Sequence, residues 1–474
     1  MTPNPSRALV FGTSAAVLVL EILAGRLMAP YVGISLETFT GIIGTVLAGI
    51  AAGSAIGGKM ADERDPRTLI GPALVLGGVL TLLSLPIVRI VGPQLGTDPV
   101  SIVALTAVAF LAPAAVLSAV SPMVAKLRLA SLDDTGAVVG GLSAAGTIGA
   151  LAGTFVTGFV LVSALPTRPI VVGIGIALII AGVACGWWLA KTKPTVSGLV
   201  FVLGAIAFSV PAGPPCQQET AYFCANVFVN AENPNGRDLI LDRLRHAFVD
   251  LEDPTNLDVR YIRLFADVAA GLDEPPQETL HIGGGGFSFP RYLHAIHPDS
   301  SHLVLEIDEA LVQINRDELG LVTDDRLEVT VGDARIGLAD LADDRFDLII
   351  GDAFASQAVP WHLTTTEFIT EIDRVMSPDG IYVMNVIDGD QSRFARAELA
   401  TLAETFEHVA IILPPGGEVP RRAINQLLIA SHRPIPTLDI DPEDGLLRTG
   451  DIIEYIDGQR PLRDDFAPVD QLAR

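Results

Sequence analysis

Long uncharged apolar runs fill the first 212 residues and constrain the fold more than any other feature of the chain. A helix of about 20 apolar residues crosses the roughly 30 Å hydrocarbon core of a bilayer. Six runs contain no charged residue, and a seventh, which begins at Ala8, is interrupted only by Glu21 and Arg26. We therefore predict a multi-pass α-helical membrane domain at residues 1–212, with about seven helices and the lipid bilayer as partner. The uncharged runs are Thr38 to Gly58, Thr68 to Val88, Pro99 to Ala125, Thr135 to Thr167, Pro169 to Ala190 and Pro194 to Gln218.

Small residues within these runs predict close helix packing. Gly49, Gly53 and Gly57 recur every four residues, a spacing that lets two backbones approach. The charged pair Glu21 and Arg26 has two interpretations: pairing or extension of the side chains to the interface, or a functional polar site in the membrane. No pattern of paired intramembrane charges indicates a transport pathway, so we interpret this domain as an anchor or scaffold.

Basic residues in the short loops predict the orientation of the bundle. Eight lie on one side and three on the other, and the richer side is normally cytoplasmic. With seven helices, the part of the chain after the bundle then lies outside the cell membrane. The eight are Arg7, Lys59, Arg64, Arg67, Lys126, Arg128, Lys191 and Lys193, and the three are Arg26, Arg89 and Arg168.

Two cysteines just after the last run bear on the same question. Cys216 and Cys224 are eight residues apart. A disulfide between them requires an oxidising compartment, whereas free thiols fit the cytosol. Loop charges and cysteines together favour an external domain. No Cys or His pairs at zinc spacing accompany them, so we predict no metal.

Charge separates the two halves of the chain. Residues 1–212 hold 11 Lys and Arg against 8 Asp and Glu, and the remainder holds 20 against 47. A surface this acidic disfavours nucleic acid as a partner. It is compatible with a cationic small molecule such as a polyamine, and equally with a simple role in solubility.

The second half begins with a linker and β-hairpin region at residues 213–277. Strand-like sequence on both sides of an Asn-Pro-Asn-Gly turn predicts the hairpin. From residue 278 to residue 474, apolar strands alternate with helical segments. This alternation predicts an α/β fold, a Rossmann-like doubly wound sheet.

A run of glycines follows the first strand of that sheet. Gly283, Gly284 and Gly285 permit positive φ and close approach of a ligand to the backbone. Glu306 lies 23 residues after Gly283, near the spacing at which an acidic residue takes a ribose diol in Rossmann-like folds. Asp333 ends the third strand. Together they predict a nucleoside-binding edge.

Asp352 ends a fourth apolar strand, in the segment GDAFASQAVPWHL. Ligands of open α/β sheets bind at the carboxyl ends of the strands. A carboxylate there can accept the proton of an attacking amine. The alternative is that Asp352 only caps the following turn.

These segments, with LILDRLRHAFVDLEDPTNLDVRYIR and DDFAPVD, give the chain a resemblance to the spermidine synthase (polyamine aminopropyltransferase) family, specifically its membrane-fused branch. The resemblance implies a class I methyltransferase-type fold. Gly283 to Gly285 would then lie under the sulfonium of decarboxylated S-adenosylmethionine, and Glu306 would bind the ribose. Asp333 and Ala334 would hold the adenine, and Asp352 would take the proton from the acceptor amine.

The chain also departs from the family pattern. Ala355 replaces the second Asp of the D-x-x-D segment, and Gly286 replaces an Asp of the glycine loop. Arg243 and His246 replace the Gly and Gln of the L-D-G-x-x-Q turn. These changes weaken a diamine site more than a nucleoside site.

Three further residues are candidates for substrate binding. Tyr261 matches the family's Tyr loosely, and His246 and His362 fall in family motifs. A neutral or protonated imidazole near neutral pH could carry a proton, and a structural hydrogen-bonding role is the alternative.

The resulting hypothesis is a membrane-bound, homo-oligomeric transferase that moves an aminopropyl group from decarboxylated S-adenosylmethionine to an amine such as putrescine. Methyl transfer from S-adenosylmethionine is the first alternative. A repurposed external domain that acts on an envelope molecule without any adenosyl cofactor is the second.

Overall fold

A computed structural model describes residues 3–96, 98–129, 135–191, 196–209, 216–354, 358–415, 424–441 and 443–473. The chain divides into two compact units, residues 1–224 and 225–474. The first is helical and the second is built on a large mixed sheet.

Six helices of the first unit are long and apolar enough to cross a membrane. The seventh predicted span contains α7, Val196–Ser209, whose 14 residues extend only about 21 Å. Seven membrane-spanning helices were predicted, and six helices of the described chain are long enough to span. The six are α1 (Pro3–Val32), α2 (Leu36–Glu63), α3 (Pro66–Gln94), α4 (Pro99–Arg128), α5 (Thr135–Leu161) and α6 (Thr167–Ala190).

Glycines set the spacing between these helices. A Cβ at Gly53 would lie 2.0 Å from the carbonyl oxygen of Ala115, and one at Gly57 would lie 2.5 Å from that of Ala119. Helices α2 and α4 therefore meet backbone to backbone. The predicted close packing at the four-residue glycine repeat is confirmed.

Arg26 pairs with a distant carboxylate rather than with Glu21. Its guanidinium lies 3.0 Å from Glu219, and both side chains are largely buried. Glu219 also accepts hydrogen bonds from the backbone N–H of Thr167, at 3.0 and 3.1 Å. No described ion pair joins Glu21 to Arg26, so the interpretation of mutual pairing is wrong. A disulfide joins Cys216 to Cys224, and Glu219 lies in the short loop that it closes.

A small antiparallel sheet follows the apolar helices along the chain. After the two-residue strand β1 (Gln218–Glu219), the strands are β2 (Cys224–Val229), β3 (Gly236–Leu241) and β4 (Leu244–Asp250). The predicted hairpin at the Asn-Pro-Asn-Gly turn forms between β2 and β3. A second tight turn follows at Asp242, whose φ of 54° is left-handed.

The large sheet has the strand order β12-β10-β11-β9-β8-β5-β6-β7. Strands β5 to β9 run parallel, whereas β10, β11 and β12 are antiparallel additions at one edge. The predicted Rossmann-like sheet is confirmed. Its strands are β5 (Glu278–Ile282), β6 (Ser301–Glu306), β7 (Leu327–Val331), β8 (Phe346–Gly351), β9 (Met376–Asp388), β10 (His408–Pro415), β11 (Ile424–Ser431) and β12 (Asp444–Arg448).

Helices cover both faces of this sheet and bury two apolar cores. Alternate residues of each strand face opposite cores: Ile349 packs in one and Ile350 in the other. Polar caps begin several helices, as when Asp308 accepts from the N–H groups of Ala310 and Leu311. The helices are α8 (Arg260–Ala270), α9 (Ser288–Ile296), α10 (Glu309–Glu318), α11 (Ala334–Leu338), α12 (Thr366–Val375), α13 (Arg393–Thr405), α14 (Thr449–Ile456) and α15 (Val469–Leu472).

Candidate active site

The glycine loop joins β5 to α9 at the carboxyl edge of the sheet. Gly283 has φ +93°, and a Cβ there would lie 2.5 Å from the carbonyl oxygen of Asp352. Gly285 has φ +52°, and a Cβ there would meet open space. Only glycine fits the first position, and the second presents bare backbone to a ligand.

Glu306, at the end of β6, folds back onto this loop. Its carboxylate accepts from the N–H groups of Gly284 (2.8 Å), Gly285 (3.3 Å) and Asp308 (2.9 Å). Burial raises its pKa, and these three donors oppose the rise. A carboxylate offers about four acceptor positions, so about one is left for a ligand hydroxyl.

Asp352 follows β8 and lies beside the loop. Its Oδ1 accepts from Asn385 Nδ2 at 2.8 Å, and Asn385 Oδ1 in turn accepts from Asn425 Nδ2 at 3.0 Å. Burial raises the pKa of Asp352 to about 6, against the lowering effect of hydrogen bonds from Asn385 and Tyr261. A buried carboxyl that titrates near neutrality is suited to taking up and releasing a proton.

A cavity that opens to solvent brings the loop and Asp352 together with two of the predicted substrate residues. His246 and Tyr261 line it, and the Tyr261 hydroxyl lies 3.1 Å from the carbonyl oxygen of His246 and also within hydrogen-bond reach of Asp352, so its one proton can go to either acceptor. Burial lowers the pKa of His246 to about 4, so its imidazole is neutral at physiological pH. Phe265 and Phe289 complete an aromatic wall.

The remaining predicted residues form a second group. Asp333 caps α11 through Arg335 N (2.9 Å), and its other oxygen lies 3.2 Å from His362 Nε2. Ala334 is buried in the apolar core. His362 thus lies with Asp333, at the end of β7, and is not among the residues that line the cavity.

The structure describes the surroundings of Gly286 and Arg243, two of the positions that depart from the family pattern. A Cβ at Gly286 would lie 2.3 Å from the Cβ of Ala247 on β4, so the Ala247 side chain leaves no room for an Asp. Arg243 is exposed at the turn after β3 and does not line the cavity. Ala355 lies outside the described residues.

Sequence reasoning missed two polar networks. Asn385 and Asn425 hold Asp352, and Arg335 makes a bidentate pair with Asp464 at 2.8 and 2.6 Å. A single Asn within the apolar strand IYVMNVID was the available signal for the first network. Within the described chain, no group of three His, Cys, Asp or Glu side chains could hold a metal ion.

Comparison with known proteins agrees with this geometry. Residues 258–412 match the family model of the spermine/spermidine synthase domain. The chain is 29% identical over 160 residues to a polyamine aminopropyltransferase of Vibrio vulnificus, covering 33% of this chain and 53% of the relative. It is also 29% identical over 167 residues to one of Chromobacterium violaceum, covering 35% and 62%. The chain thus spans about half to two thirds of these relatives.

A solved structure extends the match across the second unit. The crystal structure of a probable spermidine synthase from Corynebacterium glutamicum superposes with a TM-score of 0.50 at 25% identity. The match covers 54% of this chain and 99% of that one. Residues 258–412 thus resemble the spermine/spermidine synthase domain, and the fold is of the class I S-adenosylmethionine type.

Proposed function

We propose that the second unit transfers an aminopropyl group from decarboxylated S-adenosylmethionine to an amine, with Asp352 as the proton acceptor. The observation that carries this proposal is the position of Asp352, buried and with a raised pKa, against the glycine loop in one cavity.

The residues at the sheet edge fit an adenosyl group. Gly285 presents open backbone, Glu306 keeps about one acceptor position, and Asp333 stands at the next strand end. Carboxylates at successive strand ends suit ribose hydroxyls and an exocyclic amine. When bound, decarboxylated S-adenosylmethionine would supply an electrophilic aminopropyl carbon.

The chain's own residues would position and deprotonate the acceptor. Asn385, held by Asn425, fixes one oxygen of Asp352, which leaves the carboxylate to accept a proton from the amine nitrogen. With a pKa of about 6, Asp352 is ionised at pH 7.5. We expect kcat/KM to fall about tenfold per pH unit below pH 6 and to level off above it, measured as a pH–rate profile.

The acceptor side of the cavity favours an amine with one charged end. Asp352 is the only carboxylate among the described residues that line the cavity. His246 adds a neutral imidazole, and the aromatic wall adds apolar surface. A second ammonium group would find no carboxylate there, so a diamine should gain little over a monoamine.

The test is a transfer assay with the full chain in nanodiscs. Decarboxylated S-adenosylmethionine and S-adenosylmethionine are each offered with putrescine and with butylamine, and products are identified by mass. Aminopropylated amine supports the proposal, whereas methylated product shows methyl transfer instead. Absence of methylthioadenosine binding by calorimetry would refute both cofactor-dependent functions.

Asp352→Asn is the matched control, because it keeps the side-chain shape and an acceptor oxygen for Asn385. We expect methylthioadenosine to bind within about threefold of the wild-type affinity while transfer falls about 10³-fold. Full activity in this variant would exclude Asp352 as the proton acceptor.

We further propose that the second unit lies outside the cell membrane. Thr167 begins α6 and Lys191 follows its end, so they lie about 36 Å apart along the helix. Glu219 accepts hydrogen bonds from Thr167, so Glu219 lies at the end where α6 begins. That end holds Arg26 and Arg168, and the other holds most of the basic loop residues. The disulfide at Cys216 supports the same side.

Thiol labelling in intact cells tests this placement. With an impermeant maleimide, we expect Cys216 and Cys224 to react only after a reductant has been added, and without permeabilisation. Reaction that needs permeabilisation and no reductant would place the segment in the cytosol.

A further inference from the structure

A chain of buried polar side chains runs from the cavity to the surface on the α9 side of the sheet. His281 and Thr279 lie two residues apart on β5 and face the same side. His281 lines the cavity, and its Nε2 lies 3.0 Å from Thr279 Oγ1. The same hydroxyl lies 2.8 Å from His302 Nδ1 on the neighbouring strand β6. Three side chains thus connect directly.

The chain continues through His294 of α9. The His302 and His294 rings are 5.9 Å apart between centroids and nearly perpendicular. His302 Nε2 and His294 Nδ1 are both buried and have no hydrogen-bond partner among the described residues. A buried polar atom without a partner loses its hydration and gains nothing in return, so a bond between these two nitrogens, direct or through one water, is favoured. His294 Nε2 lies 3.4 Å from Asp324, whose side chain is 46% exposed.

The outer end fixes the direction of every bond in the chain. Asp324 accepts the N–H groups of Arg326 and Leu327, which lower its pKa, so it is ionised and only accepts. His294 therefore carries its proton on Nε2, and its Nδ1 accepts from His302 Nε2–H. His302 Nδ1 then accepts from the Thr279 hydroxyl, and that hydroxyl accepts from His281 Nε2–H. His281 Nδ1 is left as an acceptor at the cavity.

Both inner imidazoles remain neutral, as this pattern requires. Burial lowers the pKa of His302 to about 4, helped by His294 and His297 and opposed by Asp324. Burial, with a contribution from His302, also lowers the pKa of His281. Each ring therefore keeps one donor and one acceptor nitrogen at physiological pH.

We propose that His281, Thr279, His302, His294 and Asp324 form a proton exit path from the active-site cavity to solvent. The path rests on the transfer reaction proposed above. There, a C–S bond breaks, a C–N bond forms, and the new ammonium loses one proton to Asp352. That proton then passes to His281 Nδ1. His281, Thr279, His302 and His294 each pass the proton that they donate in the path to the next residue. Asp324 receives the last of these protons and releases it to water. The five residues act through Asp352 and need not contact the substrate.

Thr279 offers the sharpest test, because Thr279→Val removes the hydroxyl at nearly constant shape and Thr279→Ser restores it. In full-length protein, we expect Thr279→Val to lower the steady-state transfer rate about tenfold, while Thr279→Ser stays within about twofold. Methylthioadenosine affinity should not change in either variant. A control, His432→Gln, removes a histidine that pairs with Asp373, away from this path, and should leave the rate unchanged.

Two further outcomes decide the proposal. A Thr279→Val enzyme with the wild-type rate and pH–rate profile would overturn the exit path and leave the transfer function intact. Independently of activity, ¹⁵N NMR of histidine-labelled full-length protein in nanodiscs should show the Nε2–H tautomer at His281, His302 and His294. An Nδ1–H tautomer at His302 would break the path, even if the wild-type protein transferred nothing.

Discussion

Helices α2 and α4 of the first unit meet through glycine and alanine, whereas the strands of the second unit converge on buried carboxyl and imidazole groups. In the first unit, Gly53 and Gly57 allow two helix backbones to approach closely. In the second unit, Asp352, Glu306, His246 and His281 are all largely buried and have shifted pKa values. The first unit is thus packed closely through small residues, whereas the second buries titratable groups of the kind that the proposed reaction needs.

The largest effect is expected from a substitution at Gly53, where two helix backbones of the first unit are in close contact. Gly53→Leu would drive its Cβ into the Ala115 carbonyl, so we expect a loss of more than about 3 kcal/mol in the first unit. Gly44→Leu, on the same helix but facing open space, is the matched control. Thermal unfolding in nanodiscs measures both, and equal stability of the two variants would contradict the packing.

Asp352→Asn tests the opposite prediction for the second unit. A pKa raised from 3.8 to about 6 means that the folded protein carries a buried charge above pH 6 at a cost of at most about 3 kcal/mol. Wild-type stability should therefore fall as the pH rises from about 4 to 6, and the variant should lack this fall. The variant should thus be more stable at pH 7.5 and equal at pH 4. Unfolding measured over this pH range is the test. If Asp352 only capped the following turn, the variant would be less stable than the wild type at pH 7.5.

A smaller effect is expected where the first unit does bury charge. Glu219→Gln removes the ion pair with Arg26 but keeps an acceptor for Thr167, so we expect a loss of about 1–2 kcal/mol. Glu63→Gln, at an exposed helix end, should change stability by less than about 0.5 kcal/mol. Calorimetric unfolding of both variants tests the difference. An equal effect would show that the Arg26 pair contributes nothing specific.

Much of the large sheet was predictable because βα alternation and strand-ending Gly, Glu and Asp residues are local signals. The third strand of the sheet was predicted to end at Asp333, and β7 ends two residues earlier at Val331. Helix α8 was missed because no preceding cap marks it: Val259 at its N-cap makes no side-chain bond. The turn at Asp242 was expected only from the resemblance to the family, because Asp-Arg is an unusual pair for a left-handed turn.

Local sequence signals predicted the site where its residues end strands, whereas His246 and Tyr261 were predicted from the resemblance to the family. Asp352, Glu306 and the glycines were found from their positions at strand ends. Asn385 was not, because its contact with Asp352 depends on β8 lying beside β9. The pairing of Arg26 with Glu219 joins residues 193 positions apart, and no local pattern encodes it.

The back-folded carboxylate of Glu306 has a consequence for recognition. For the adenosyl group proposed above, the glycine loop is already ordered, because Glu306 accepts hydrogen bonds from the amides of Gly284 and Gly285. A preorganised loop loses little conformational entropy on association. Affinity at this edge should then depend on how well the pocket matches a rigid nucleoside rather than on the folding of a flexible segment around it.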